Sequence, residues 1–414
     1  MQAISRLATA FGLAVAVALV TASPASAGVA QPAQVSTDPA DVTPDVDDGA
    51  VYKVLQVGDT LYAGGFFSSV TKGATVARRN LFSFDVTTGA VHAFAPKVDG
   101  VVWALASDGT SLYVGGDFTA VNGVARRGLA KLDLTTGAVD RNFDAHLDGK
   151  VRDAVFSGGR LIIGGTFAKR LQAVDPATGA DTGYVDLGIS GSVDPGAGPT
   201  KIQRFAVDPA GTRLVAVGNF TTVSGQPRWR AFVADLGPSS AAVDAWNYPP
   251  LAQPCSSERI DYVRDVDFSP DGTYFVMVST GFVPLPGQLG TAICDAAARF
   301  ETAVPNPTQP TWINYTGGDT LHSVVVTGAA VYVQGHNRWL NNPLGADSAG
   351  PGAVPREGIG AIDPNTGLAT DWNPGKGRGV GGMDLLATPQ GLWVPSDTEH
   401  IGGETHKRIA FFPL

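Results

Sequence analysis

One heptapeptide recurs along the chain in near-identical copies. They are Leu61-Tyr62-Ala63-Gly64-Gly65-Phe66-Phe67, Leu112-Tyr113-Val114-Gly115-Gly116-Asp117-Phe118 and Leu161-Ile162-Ile163-Gly164-Gly165-Thr166-Phe167. Weaker copies follow at 214–220, 275–279, 331–335 and 392–396. Marked by the second glycine or its equivalent (65, 116, 165, 218, 279, 335, 396), successive units are 49 to 61 residues apart. A repeat of this length cannot bury its apolar face alone and must stack on its neighbours. Two or three independent domains, the usual outcome for a chain of 414 residues, are therefore not expected.

Each unit reads as four short strands. An opening strand alternates apolar residues (51–57, 101–106, 151–156), and a Gly or Asp-Gly turn leads into the marker strand. A polar loop precedes a third strand ending in Asp, and an Asp-x-x-Thr-Gly turn starts the fourth, as at 85–89, 133–137, 175–179 and 363–367. Asp side chains bond the backbone ahead of them and Gly tolerates positive φ, so these residues are turn chemistry rather than a metal loop. The expected fold is all-β, a seven-bladed β-propeller of four-stranded antiparallel blades in one domain, 28–414. Its blades lie near 49–98, 99–148, 149–198, 199–257, 258–317, 318–377 and 378–414 plus 30–48. The seventh unit stops after its third strand (408–414), and residues 42–48 resemble the fourth strands of other units. An N-terminal strand is expected to complete that last blade and leave no open edge.

Arg6, an apolar run at 7–20 and Ala25-Ser26-Ala27 follow the order of a signal peptide, here 1–27. That run is short of the roughly 20 residues a membrane span needs, so the product is expected to be secreted and not membrane-spanning. Export permits a disulfide between the two cysteines, Cys255 and Cys294. It would staple the approach to the fifth blade to that blade's long second-to-third loop. The 38 acidic and 29 basic residues are dispersed, which argues against nucleic acid as a partner, because phosphate tracking needs a clustered basic face. A monomer is expected.

The Leu-Tyr-Val-Gly-Gly-Asp-Phe-Thr core with Asn122-Gly123, the stretch Asp265-Val266-Asp267-Phe268-Ser269-Pro270-Asp271-Gly272, the segment from His336 to Asn342 and the ending 409–414 carry a family likeness. Over essentially the whole exported chain it resembles the secreted actinobacterial β-propeller domains of the delta-60-type, kelch-like repeat group. The resemblance implies the fold and export, and no particular activity.

Departures from a repeat are where function is most readily written. The arginines at 78–79, 126–127, 228 and 230 recur and are expected to hold strand-end Asp or backbone carbonyls. The sixth and seventh units instead replace Gly-Gly-x-Phe-Thr with 334–342 and 396–406. The candidate ligand site is therefore His336, Arg338, Trp339, Asn341 and Asn342 with Asp397, Glu399 and His400, since an indole flanked by amides suits a sugar. The competing reading makes Trp339 a loop plug and the histidines solvated. A metal on His336, Asp397, His400 and His406 lacks a known zinc spacing, so no metal, cofactor or catalytic residue is assigned. The expected function is extracellular binding or scaffolding with a glycan or protein as ligand. The alternative is a polysaccharide hydrolase or lyase working on the same loop face.

Overall fold

The computed structural model describes residues 28–193, 195–256 and 259–414; the expected leader, 1–27, lies outside them. Of the twelve antiparallel sheets among the described residues, seven open on the first strands of the repeat and follow one another along the chain. Their first strands are Ala50–Val57, Val101–Ser107, Val151–Ser157, Lys201–Val207, Tyr262–Phe268, Leu321–Val326 and Leu386–Thr388. The only helices described are two 3-10 turns, Pro195–Ala197 and Pro249–Ala252, and no helix is long and apolar enough to cross a membrane.

The paired glycines have two separate causes. A Cβ on Gly64 or Gly115 would sit 2.4 or 2.6 Å from the valine of the next sheet's first strand, Val102 or Val151, so the first glycine sets how closely sheets stack. A Cβ on Gly65, Gly116 or Gly165 would meet the carbonyl of Ala50, Val101 or Lys150 at 2.0–2.1 Å. The same first strands each carry a β-bulge, between Val51 and Lys53, Val102 and Ala104, and Val151 and Asp153.

Buried apolar clusters fill the gaps between sheets. Leu55, Tyr62 and Leu81 of the first meet Val102, Leu105 and Val114 of the second. The third and fourth share Ile162, Ala173, Ile202 and Phe232.

Turn chemistry follows the sequence. Asp85, Asp133, Asp175 and Asp363 each accept a bond from the backbone N–H three residues on, at 2.7–2.8 Å. The glycines one residue further have φ between +70° and +82°, where an L side chain is strained. The recurring arginines hold backbone carbonyls: Arg78 donates to His92 at 2.7 Å, Arg126 to Arg141 at 2.9 Å, Arg228 to Asp244 at 3.1 Å, and Arg356 to Thr370. The outermost strands differ from the four-strand expectation. Among the described residues, full fourth strands form only at Ala241–Val243 and Trp312–Tyr315. Elsewhere the pairing dwindles to one bridge, such as Phe84 with Val91 or Leu132 with Val139.

The N-terminal segment runs beside the last sheet. Ser36 N–H donates to Pro413 O at 2.7 Å, Ala40 N–H to Phe411 O at 2.8 Å and Val46 N–H to Lys407 O at 3.1 Å. Cys255 and Cys294 form a disulfide with Cα atoms 5.6 Å apart.

Candidate functional site

The bulge in the first strands decides which side chains meet in the middle of the molecule. In the first six sheets it skips one residue: Tyr52, Trp103, Arg152, Gln203, Arg264 and His322. These residues converge across sheets. The Tyr52 and Trp103 rings stack at 4.5 Å, and the Arg152 guanidinium lies 4.6 Å from the Trp103 ring. Arg264 bonds His322 and reaches Met383 Sδ of the last sheet at 3.6 Å. Tyr262 carries both Arg264 and Lys201 near its ring, at 5.1 and 5.0 Å. The result is a mouth lined by aromatic faces and cations.

Behind it lies a charged belt, formed by the residues after the bulge. Lys53 pairs with Asp384 at 2.8 Å and Arg204 with Asp153 at 3.7 Å. Arg204 also reaches across to other sheets, donating to Arg152 O at 2.6 Å, Trp103 O at 3.3 Å and Met383 O at 2.9 Å. Asp153, Asp265 and Asp384 each accept the N–H of a neighbouring sheet's first strand, from Phe205, Val324 and Val54 at 3.0–3.1 Å. Beyond the belt is a chamber of about 120 Å³ that includes Asp267, with Gly28 against the Phe268 carbonyl. Pockets that bury small molecules run to roughly 300–1,000 Å³, so this chamber is too small for a sugar ring.

Electrostatics divide the two levels. At the mouth, burial and then the Arg204 charge pull Arg152 down to about 10. Burial, Arg152 and Arg264 pull Lys201 down to about 8. Burial and Arg264 hold His322 neutral, well below the ordinary imidazole range. Positive charge therefore accumulates there, with Asp117 the carboxylate that acts on Arg152. In the belt, burial pushes Asp265 up to about 7, and burial with the neighbouring Asp265 pushes Asp267 up to about 8. Carboxyls raised in this way favour the native state at low pH, and that contribution is lost as pH rises through the native pKa. Between pH 4 and 8 stability should fall by at most about 1.4 kcal/mol per pH unit for each group. Asp267→Asn keeps an acceptor for the Val326 N–H, which Asp267 binds at 2.8 Å. The margin by which its melting temperature exceeds the parent's should be larger at pH 8.5 than at pH 5; an equal margin at both would place Asp267 in bulk-like water.

Of the sequence candidates, His336 and Asp397 come closest to the mouth. Residue 336 follows the marker glycine, its ring lies 5.6 Å from His322, and burial lowers its pKa. Asp397 accepts the Val380 N–H at 2.6 Å. Arg338 binds Asp319 through two nitrogens at 2.8 Å, and its guanidinium lies 4.4 Å from the Trp339 ring. Asn342 is buried and bonds Thr316 O and Ser348 O, while Asn341 faces Asn314. Glu399 pairs with Arg408 at 3.2 Å and His400 lies 3.3 Å from Thr405. The eight thus divide among several local networks, and none lines the inner chamber.

Sequence reading passed over the mouth and belt. Aligning the opening segments would have exposed Tyr52, Trp103, Arg152, Gln203, Arg264, His322 and Met383, unlike in type, 13 residues before the marker position in five units and 15 before it in two. A second concavity of about 590 Å³ opens on the same loop face between the first two sheets. It is lined by Phe66, which is 56% exposed, with Arg79 and Lys97.

A family model described as a domain of unknown function (DUF5122) β-propeller matches residues 106–143. The sequence has no match among the curated proteins searched. Among solved structures, the WD40 β-propeller domain of Doa1 is 10% identical at a TM-score of 0.50, covering 89% of this chain and 95% of that one. Hydrazine synthase of Kuenenia stuttgartiensis is 12% identical at a TM-score of 0.52, covering 89% and 97%. At such identities the likeness concerns fold alone, and with the family match it identifies a β-propeller.

Proposed function

We propose that this protein is an exported binding module whose channel mouth takes an acidic glycan, a sugar chain bearing carboxylates. The observation that carries the reading is the gathering of Arg152, Arg264 and Lys201 against Trp103 and Tyr262. Cations that repel one another beside flat apolar rings suit an anionic ring that stacks and accepts charged hydrogen bonds. The reading assumes a seven-bladed ring closed by the N-terminal segment in the last blade. In its support, Val51 and Leu61 of the first sheet share a buried cluster with Trp393 and Ile409 of the last, and the 36–46 segment bonds the free edge at 407–413. The leader at 1–27 and the disulfide agree with export.

Calorimetric titration with an oligouronate and a neutral oligosaccharide of equal length tests the proposal. The acidic chain should bind more tightly, and less so in high salt. Arg152→Ala should weaken it by roughly 1.5–3 kcal/mol, about ten- to a hundredfold. Equal affinity for both chains would refute it. Loss on Phe66→Ala alone would move the site to the groove between the first two sheets, and loss on Trp339→Ala alone to the loops of the sixth and seventh. Shortened products after incubation would favour a polysaccharide hydrolase or lyase.

A further inference from the structure

The seventh sheet breaks the arginine clamp, and the residue that replaces it meets the N-terminal segment. In other sheets the clamp arginine's N–H bonds a carbonyl across the loop, Arg126 to Thr119, Arg228 to Thr221 and Arg356 to Arg338, two residues before a position of positive φ. In the last sheet His406 N–H bonds Glu399 O and Arg408 has φ +70°, so His406 holds the clamp position. Its side chain reaches no strand carbonyl. Its Nε2 lies 3.2 Å from Glu404 Oε2, and its Nδ1 lies 3.2 Å from Thr43 Oγ1. Asp41, two residues before Thr43, brings a third donor, and ligand atoms of Asp41, Glu404 and His406 lie within 4.8 Å of one another.

We propose that Asp41, Glu404 and His406 form a divalent-cation site of the zinc class, clipping the N-terminal segment to the last sheet. One imidazole with two carboxylates is a donor set suited to zinc, leaving a fourth position for water. Ligand atoms at zinc distances stand about 3.4 Å apart. The His406 and Glu404 atoms are already that close, and Asp41 is exposed, with room to swing in. The buried imidazole is anchored by Thr43, so one ligand is preset. Lys72 lies alongside, donating to the Asp41 and Thr43 carbonyls at 2.9 and 3.3 Å. Its charge opposes an incoming cation and favours the site only when both carboxylates bind. The three ligands come from opposite ends of the chain, so binding ties those ends together.

Full-length protein stripped with EDTA and titrated with zinc chloride tests this by calorimetry and thermal unfolding. One ion per chain should bind and raise the melting temperature, and magnesium should do neither. Asp41→Asn with Glu404→Gln changes only exposed side chains, so melting in EDTA should be unaltered. Zinc affinity should fall by more than the roughly tenfold that even outer-shell changes cost. His406→Arg should abolish the zinc response. Zinc that leaves melting unchanged, or binds parent and double variant alike, overturns the proposal.

Discussion

Arg204→Ala is expected to destabilise the protein by about 3–5 kcal/mol, the cost of removing one partner from a buried ion pair. The Arg204 side chain is 7% exposed and that of Asp153 is 5%. Its guanidinium serves the carbonyls of Trp103, Arg152 and Met383 in three other sheets. Truncation strands both the carboxylate and those carbonyls, and a buried acceptor left unmade costs more than an intact bond contributes. Urea unfolding should show the loss for both Arg204→Ala and Arg204→Met. Adding Asp153→Asn to Arg204→Met should recover a substantial part. A cost below about 1 kcal/mol would mean that water solvates the belt, and the division into mouth and chamber would fall with it.

Removing the disulfide by Cys255→Ser with Cys294→Ser should cost about 4 kcal/mol, from the chain-entropy relation for a separation of 39 residues. The bridge ties two stretches between strands, 249–256 and 281–295. Cys255 N–H bonds Asp261 at 2.8 Å, and Asp261 pairs with Arg230 at 3.1 Å. Leu285 and Leu289 are exposed. Local opening should therefore precede global unfolding. Limited proteolysis of the double variant, or of reduced protein, should begin within 283–290, and the urea midpoint should fall. An unchanged midpoint would show that the fifth sheet holds this loop unaided.

What was legible in the sequence was local or periodic. The glycine pairs, Asp-Thr-Gly turns and recurrent arginines repeat because every sheet solves the same stacking and turn problem, and repetition separates that signal from noise. Cys255 and Cys294 could pair only with each other. The loops of the sixth and seventh units stood out for the opposite reason, as departures. Much of that departure goes into local bonding, with Asn342 closing a turn onto Thr316 and Arg338 neutralising Asp319.

The mouth and belt were not legible, because a search for likeness discards the column where likeness fails. Tyr52, Trp103, Arg152, Arg264 and His322 share a backbone position, not a residue type, and a bulge turns that position toward the centre. The same holds for Lys53 with Asp384 and for Asp41 with His406, partners more than 300 residues apart in sequence. By itself the sequence determined the repeating unit, since hydrogen bonding and glycine conformation act over a few residues. Only the tertiary structure decided which unlike side chains share one low-dielectric space, because charge pairing depends on distance through space and the chain's order does not encode it.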